Sequence, residues 1–227
     1  MKLKKIASLM LAGVMAVSML SACGEGSGNG NEEENKPVET VSNAVTYAND
    51  LLDSDMKEYV NFISSTALDG WATKYATNTG KFSAKNISDA YNKAVTVHDG
   101  QTYKSKMQSQ LESDLKDAKI LVVDTLNAMP ADKVSQSRPV VYVLSGKMDE
   151  KSAVEAAATA LGEWAFGGST VYCPKALTTT DGTVYNCDYT VEINAVKVTN
   201  DSLATESAWV ISFVVNQKVT KAVNVQV

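Results

Sequence analysis

The chain has few of the residues that usually carry chemistry. In 227 residues it has one histidine, three cysteines and a single arginine, Arg138. One histidine excludes H-E-x-x-H and other multi-histidine metal centres. A Ser-His-Asp or Cys-His site would have to use His98. That residue lies in a turn sequence, His98-Asp99-Gly100, where an exposed or capping side chain is expected.

Other catalytic signatures are missing or incomplete. No glycine-rich phosphate loop and no G-x-S-x-G motif occurs. Two S-x-x-K spacings begin at Ser54 and Ser113. The S-D-N and K-T-G segments that accompany this spacing in penicillin-binding proteins are absent, so we interpret both as chance matches. The sequence therefore predicts no catalytic residue, no metal and no cofactor, and a protein that is not an enzyme.

The charge balance is acidic, with 21 Lys and Arg against 26 Asp and Glu. Proteins that bind nucleic acid usually present clustered lysine and arginine to the phosphates. An acidic chain with one arginine lacks that feature, so we predict no nucleic-acid partner.

The N-terminus has the pattern of an export signal. Three lysines within the first five residues precede an apolar run, residues 6–20, which is too short to span a bilayer comfortably. The run ends in Leu20-Ser21-Ala22-Cys23, which resembles the lipobox of bacterial lipoproteins. The resemblance implies cleavage between Ala22 and Cys23. It also implies a diacylglycerol, with fatty-acyl chains such as palmitate, on the Cys23 thiol.

The segment after the lipobox supports an anchor. Residues 24–36 read GEGSGNGNEEENK and contain no apolar residue, so they cannot offset their ordering entropy. We therefore predict a signal peptide at 1–22 and a disordered tether at 23–37. The expected location is the cell membrane, on its extracytoplasmic side.

The first half of the remaining chain has helical periodicity. Apolar residues recur every three or four positions over 38–63 and 102–129, and more weakly over 88–97. Residues 120–123, Ile-Leu-Val-Val, are alternatively a buried strand. We therefore predict a mainly helical region over 38–135, built from long helices.

The second half, 136–227, has the pattern β-α-β-β-β. Strands are predicted at 139–144, 184–198, 207–215 and 219–227, with a helix at 149–166. The alternation changes phase near Ala195-Val196, which suggests a bulge, and Asn216-Gln217 suggests a tight turn. The predicted fold class is α+β, an antiparallel sheet covered by helices on one face. The two halves form either one compact domain or two.

Two cysteines remain besides Cys23. Outside the cytoplasm, Cys173 and Cys187 would most simply form a disulfide. They flank Asp181-Gly182, a hairpin signal. A two-residue turn there would place Cys187 opposite Ala176 rather than Cys173, so the bond requires a wider loop.

Aromatic residues are the best remaining indication of binding. Trp71 and Tyr75 lie four residues apart and either contact a ligand or cover the end of a core. We expect a non-enzymatic binding, scaffolding or accessory lipoprotein whose partner is an envelope protein or a glycan. The alternative is a surface hydrolase that acts on cell-wall or other glycans through paired carboxylates.

Overall fold

The structure is a computed structural model, and it describes residues 42–76, 83–92, 106–117, 135–167 and 173–222. Residues Thr40–Val227 form one compact unit. The signal peptide, the lipobox, the tether and His98 lie outside the described residues.

The described residues form helices and a mixed sheet, an α+β fold. The helices are α1 (Ala44–Asp50), α2 (Thr66–Ala76), α3 (Ala84–Asn92), α4 (Lys106–Asp117) and α5 (Glu150–Ala165). The strands are β1 (Val60–Ile63), β2 (Ser135–Ser145), β3 (Ala176–Thr178), β4 (Val184–Thr199) and β5 (Ser207–Lys221), and a short 3₁₀ turn, Met56–Glu58, precedes β1. The predicted β-α-β-β-β region corresponds to β2, α5, β4 and β5, with the short strand β3 added before β4.

The sheet has the strand order β1-β4-β5-β2, and β3 pairs with β4 beside β1. Most pairs are antiparallel, but β1 runs parallel to β4, from Val60 opposite Tyr189 to Ile63 opposite Glu192. The prediction of a purely antiparallel sheet was therefore wrong. The parallel strand comes from the N-terminal half of the chain, so the two halves share one sheet.

The helix predicted over 38–63 ends at Asp50. The chain turns back, and the Asn49 side chain binds β1: its amide donates to the Phe62 carbonyl at 2.8 Å and its oxygen accepts the Phe62 N–H at 3.0 Å. Val60 and Phe62 are buried in this strand, whereas the predicted helix had Tyr59 and Ile63 on its apolar face. The long helices are thus shorter than predicted. For the segment 102–129, the structure describes α4 alone, and the alternative strand at 120–123 lies outside it.

The long central strands also differ from their predicted form. β4 and β5 pair without interruption from Tyr185 opposite Lys221 to Thr199 opposite Ser207. There is no bulge at Ala195-Val196 and no turn at Asn216-Gln217, so the predicted third and fourth strands of this region join into β5. The change of phase in the apolar alternation of β4 has another cause. The first part of the strand buries one face of the sheet, at Cys187 to Ala195, and the last part buries the opposite face, at Val198.

Both faces of the sheet carry helices, not one as predicted. We call the side that packs against α1 and α5 the α5 face, and the side that packs against α2, α3 and α4 the α2 face. The α5 face holds a large apolar core from all three long strands: Val140, Tyr142, Leu144, Tyr189, Val191, Ile193, Ile211, Phe213 and Val215. The alanine-rich helix α5 lies close to it, and its N-terminus is capped by Asp149, which accepts the Ser152 N–H at 2.7 Å.

The α2 face is apolar over one part only. There Leu68, Trp71, Ile87, Leu111 and Leu115 of the three helices pack against Val141, Val198, Val210 and Val214. The outer edge of β2 is also covered, because the Val141 N–H donates to Glu112 Oε1 of α4 at 3.1 Å. Toward the other end of the strands the α2 face becomes polar, and that change positions the candidate site.

Candidate functional site

The polar part of the α2 face includes side chains of β4 and β5 that point away from the large core. Asn186, Asp188, Thr190 and Lys218 are exposed. They alternate with the buried residues Cys187, Tyr189 and Val219, as expected for strands with one covered face. This end of the sheet therefore presents amide, hydroxyl, carboxylate and ammonium groups to the solvent.

A chain of hydrogen bonds runs across three strands at the border of this polar part. Ser137 Oγ donates to Asn216 Oδ1 at 2.7 Å, and Asn216 Nδ2 donates to Glu192 Oε1 at 3.1 Å. Asn216 lies directly opposite both Ser137 and Thr190 in the register. The bond from Asn216 holds Oε1 of the Glu192 carboxylate and so fixes the orientation of that group. The other oxygen, Oε2, points away from Asn216.

A second contact joins the sheet to α2. Asn194 Nδ2 donates to Asp69 Oδ1 at 2.6 Å. Charged acceptors form shorter and stronger hydrogen bonds than neutral ones, so this contact holds the Asn194 amide with its nitrogen toward α2. Its oxygen is then directed away from Asp69.

Three oxygens at this border are buried and form no hydrogen bond with the part of the chain that the structure describes. They are Glu192 Oε2, Asn194 Oδ1 and Ser212 Oγ. Ser212 is 0% exposed and lies directly opposite Asn194. Glu192 is two pairs further along the ladder, at the next position on the same face. A buried polar group without a partner costs about 1–3 kcal/mol in protein mutational data. Three such oxygens on neighbouring register positions therefore form the most unusual polar arrangement on the α2 face.

The α5 face contains a different buried polar group. Tyr189 donates its hydroxyl to the Pro174 carbonyl at 3.0 Å and accepts from Gln217 Nε2 at 2.9 Å. Burial raises the pKa of the Tyr189 hydroxyl. The buried cysteines lie beside this pair, so it belongs to the packed core rather than to an accessible site.

The predicted disulfide is not present. Cys173 and Cys187 are both free, buried thiols. Burial raises the pKa of the Cys173 thiol to about 12 and also raises that of Cys187. Neither thiol is therefore activated as a nucleophile.

The register of the β3–β4 hairpin separates the two cysteines. The hairpin at Asp181-Gly182 forms, but its loop has three residues: Thr179 N–H donates to the Thr183 carbonyl, and Gly182 adopts a φ of 81°. Cys187 N–H then donates to the Lys175 carbonyl at 2.9 Å, so Lys175, not Cys173, lies opposite Cys187. Cys173 lies before β3 begins, two residues from the position opposite Cys187, and the two thiols are not bonded.

The aromatic candidates do not form an exposed pair in the described structure. Trp71 is 5% exposed and packs in the apolar core of the α2 face. The structure thus places it in the core, the second of the two predicted roles. The side chain of Tyr75 lies outside the described part.

Glu192, Asn194, Asn216 and Ser212 were not among the site residues predicted from the sequence. A signal existed: Thr190, Glu192 and Asn194 are three alternating polar residues, and Ser212 interrupts the apolar run of β5. Alternating polar residues ordinarily indicate a solvated face, so the burial of Ser212 and of the Asn194 side-chain oxygen was needed to distinguish this arrangement.

Among the described residues, no three His, Cys, Asp or Glu side chains gather to hold a metal ion. No helix in the same ranges has the length and apolarity to cross a membrane. The chain matches no protein-family model, and no match is found among curated proteins or solved structures.

Proposed function

We propose that this protein is a lipid-anchored lipoprotein on the extracytoplasmic side of the cell membrane, with a non-enzymatic binding, scaffolding or accessory role. The sequence Leu20-Ser21-Ala22-Cys23 after a basic and apolar N-terminus supports the anchor. Two acyl chains contribute enough buried CH₂ groups, at about 0.8 kcal/mol each, for stable attachment to a bilayer.

The observation that carries the binding role is the polar part of the α2 face. Its exposed groups belong to two long paired strands, so they are held at fixed spacings by the sheet. Rigid elements position binding groups more precisely than loops do. These groups can donate and accept hydrogen bonds, which suits a polar partner, either a glycan of the envelope or the surface of an envelope protein. They belong to Asn186, Asp188, Thr190 and Lys218.

The anchor is tested by the substitution Cys23→Ala. Intact mass of the membrane-extracted wild-type protein should show the loss of residues 1–22 and an added diacylglycerol. The variant should leave the membrane fraction or retain its signal. Cys173→Ala is the matched control, since it removes a thiol elsewhere and should leave the anchoring unchanged. A Cys23→Ala protein with wild-type processing and membrane attachment would disprove the anchor.

The binding surface is tested with a paired set of variants. Thr190→Ala and Lys218→Ala alter the polar part of the α2 face, whereas Glu163→Ala alters an exposed residue of α5. We expect the first two to reduce co-sedimentation with purified cell-wall glycan, or cross-linking to envelope proteins, while Glu163→Ala does not. Equal retention by all three variants in both assays would exclude this face as the binding surface.

A second candidate function, a glycan hydrolase, is favoured by one contact. Asp69 binds Asn194, and Glu192 is two residues from Asn194 on the same face of β4. Paired carboxylates of this kind can serve as acid and base in glycoside hydrolysis. If wild-type protein releases reducing ends from cell-wall glycan and both Asp69→Asn and Glu192→Gln abolish the release, the hydrolase replaces the binding role. Absence of release by the wild type rejects it.

A further inference from the structure

The three hydrogen-bond-free oxygens on the α2 face belong to side chains that the sheet brings together. Asn194 and Ser212 are directly opposite each other on β4 and β5. Side chains at such positions have Cβ atoms about 4.5–5.5 Å apart. Glu192 is two residues from Asn194 on the same face of β4, so its longer side chain can reach the same space from the next position on that face.

The neighbouring contacts orient these oxygens. Asn216 occupies Glu192 Oε1, which leaves Oε2 without a donor. Asp69 occupies the Asn194 nitrogen, which leaves Oδ1 without a donor. Ser212 Oγ, on a residue that is 0% exposed, has no partner either. The neighbouring groups therefore hold Glu192 Oε2 and Asn194 Oδ1 as acceptors, and the Ser212 hydroxyl oxygen can also accept.

Among the described residues, the negative charge of the site also has no cationic partner. Within the described part of the chain, neither Asp69 nor Glu192 takes part in a salt bridge. Partly buried carboxylates are usually paired with a cation or coordinate a metal, because an uncompensated charge is costly away from water. Carboxylate, amide and hydroxyl oxygens together are the ligands preferred by hard divalent cations.

We propose that Glu192, Asn194 and Ser212 bind a calcium ion at the border between the covered and the exposed part of the α2 face. Calcium takes six to eight oxygen ligands in flexible geometry. The protein would supply these three, and water from the exposed side would supply others. The site has few carboxylates, so we expect a Kd in the range of about 10⁻⁴–10⁻³ M, as in extracellular calcium modules.

The inference goes beyond the proposed function and does not depend on it, because binding of calcium is measured in the same way whether or not the chain is anchored. The test is calorimetric titration of CaCl₂ into the chelator-treated, full-length protein in detergent. We expect saturable binding of one ion per chain. We also expect weaker binding of MgCl₂, since Mg²⁺ demands a closer and more regular octahedron.

Three variants locate the ion. Glu192→Gln keeps the shape and removes the charge, and it should weaken calcium binding at least about tenfold, the effect expected for the loss of a ligand interaction near 1.4 kcal/mol. Ser212→Ala should weaken it less. Asp188→Asn is the matched control: it removes one carboxylate from the same face of the same strand, four positions away, and should change the affinity less than about twofold because exposed charges are screened.

The proposal is overturned by three results. The first is no calcium binding to the wild type at concentrations about tenfold above the expected Kd range. The second is equal weakening by Asp188→Asn and Glu192→Gln, which would indicate general attraction to an acidic surface. The third is full wild-type affinity in Glu192→Gln. Circular dichroism confirms that each variant is folded, and a calcium-dependent rise in the melting temperature of the wild type, absent in Glu192→Gln, gives an independent readout.

Discussion

The two faces of the sheet are built from the same three strands and have opposite characters. On the α5 face, aromatic and aliphatic side chains fill the space under α1 and α5. The Phe213 ring contacts the rings of Phe62 and Tyr142 edge-on, with ring centroids 6.2 and 6.0 Å apart. On the α2 face, the apolar core gives way to bound and unbound polar groups around Glu192 and Asn194. Stability is thus expected to depend mainly on one face and binding on the other.

The largest effect should come from the core of the α5 face. Phe213→Ala removes a 0% exposed ring and should lower the free energy of unfolding by about 3–5 kcal/mol. Val214→Ala, at the next position of the same strand but on the α2 face, should cost less because fewer methyl groups are lost. Chemical denaturation of both variants checks this. A larger cost at Val214 would reverse the assignment of the main core.

The contact between α2 and the sheet should have an intermediate effect. Asp69→Ala leaves the Asn194 amide without its charged acceptor, and hydrogen bonds to charged groups contribute about 1.5–3 kcal/mol. The expected result is a loss of that size in urea denaturation. Asp201→Ala, at an exposed turn, is the control and should lie within about 0.5 kcal/mol of the wild type.

The buried thiol of Cys173 should make the free energy of unfolding decrease at alkaline pH. Its folded pKa, about 12, exceeds its ordinary value of 9.0, so the stabilisation is complete below pH 9.0 and is lost as the pH rises toward 12. Between these values the unfolded state binds fewer protons, and stability should fall by about 1.4 kcal/mol per pH unit. Cys173→Ala should show a shallower fall. Parallel pH profiles for the two proteins would contradict the burial of this thiol.

The smallest effect should be an increase in the free energy of unfolding, whereas the changes above decrease it. Ser212→Ala removes a buried hydroxyl that has no hydrogen-bond partner, so in calcium-free buffer it should stabilise the protein by about 1 kcal/mol. Differential scanning calorimetry should show a melting temperature raised by about 2–4 °C. Ser137→Ala is the contrasting control, because Ser137 donates to Asn216 and its loss should destabilise the protein. Destabilisation by Ser212→Ala would mean that the hydroxyl is satisfied in solution.

Elements with strong local signals were predicted closely. The helix α5 was expected over 149–166 and runs from Glu150 to Ala165, since its alanine-rich stripe and the cap at Asp149 are both local features. The strand β4 was expected over 184–198 and runs from Val184 to Thr199. In both cases neighbouring residues alone determine the periodicity.

The errors arose where distant segments decide the structure. Tyr59 and Ile63 fit the helical period of the preceding residues, but the pairing of Val60–Ile63 with β4 makes this segment a strand. Asn216 and Gln217 have the composition of a turn, yet both are extended because β5 pairs there with β2 and β4. Ser137 and Glu192 bind the Asn216 side chain, and Tyr189 accepts from the Gln217 nitrogen. The candidate site was missed for the same reason, since sequence alternation does not reveal which half of a sheet face a helix covers.

The parallel pairing of β1 with β4 also bears on the order in which the chain can fold. These partners are separated by about 130 residues, and such distant contacts form late because loop closure is entropically costly. An emerging chain cannot complete its sheet until β4 and β5 have arrived. In the export that we propose, β1 would lack its partner during passage, and the sheet would close only when the C-terminal strands are released.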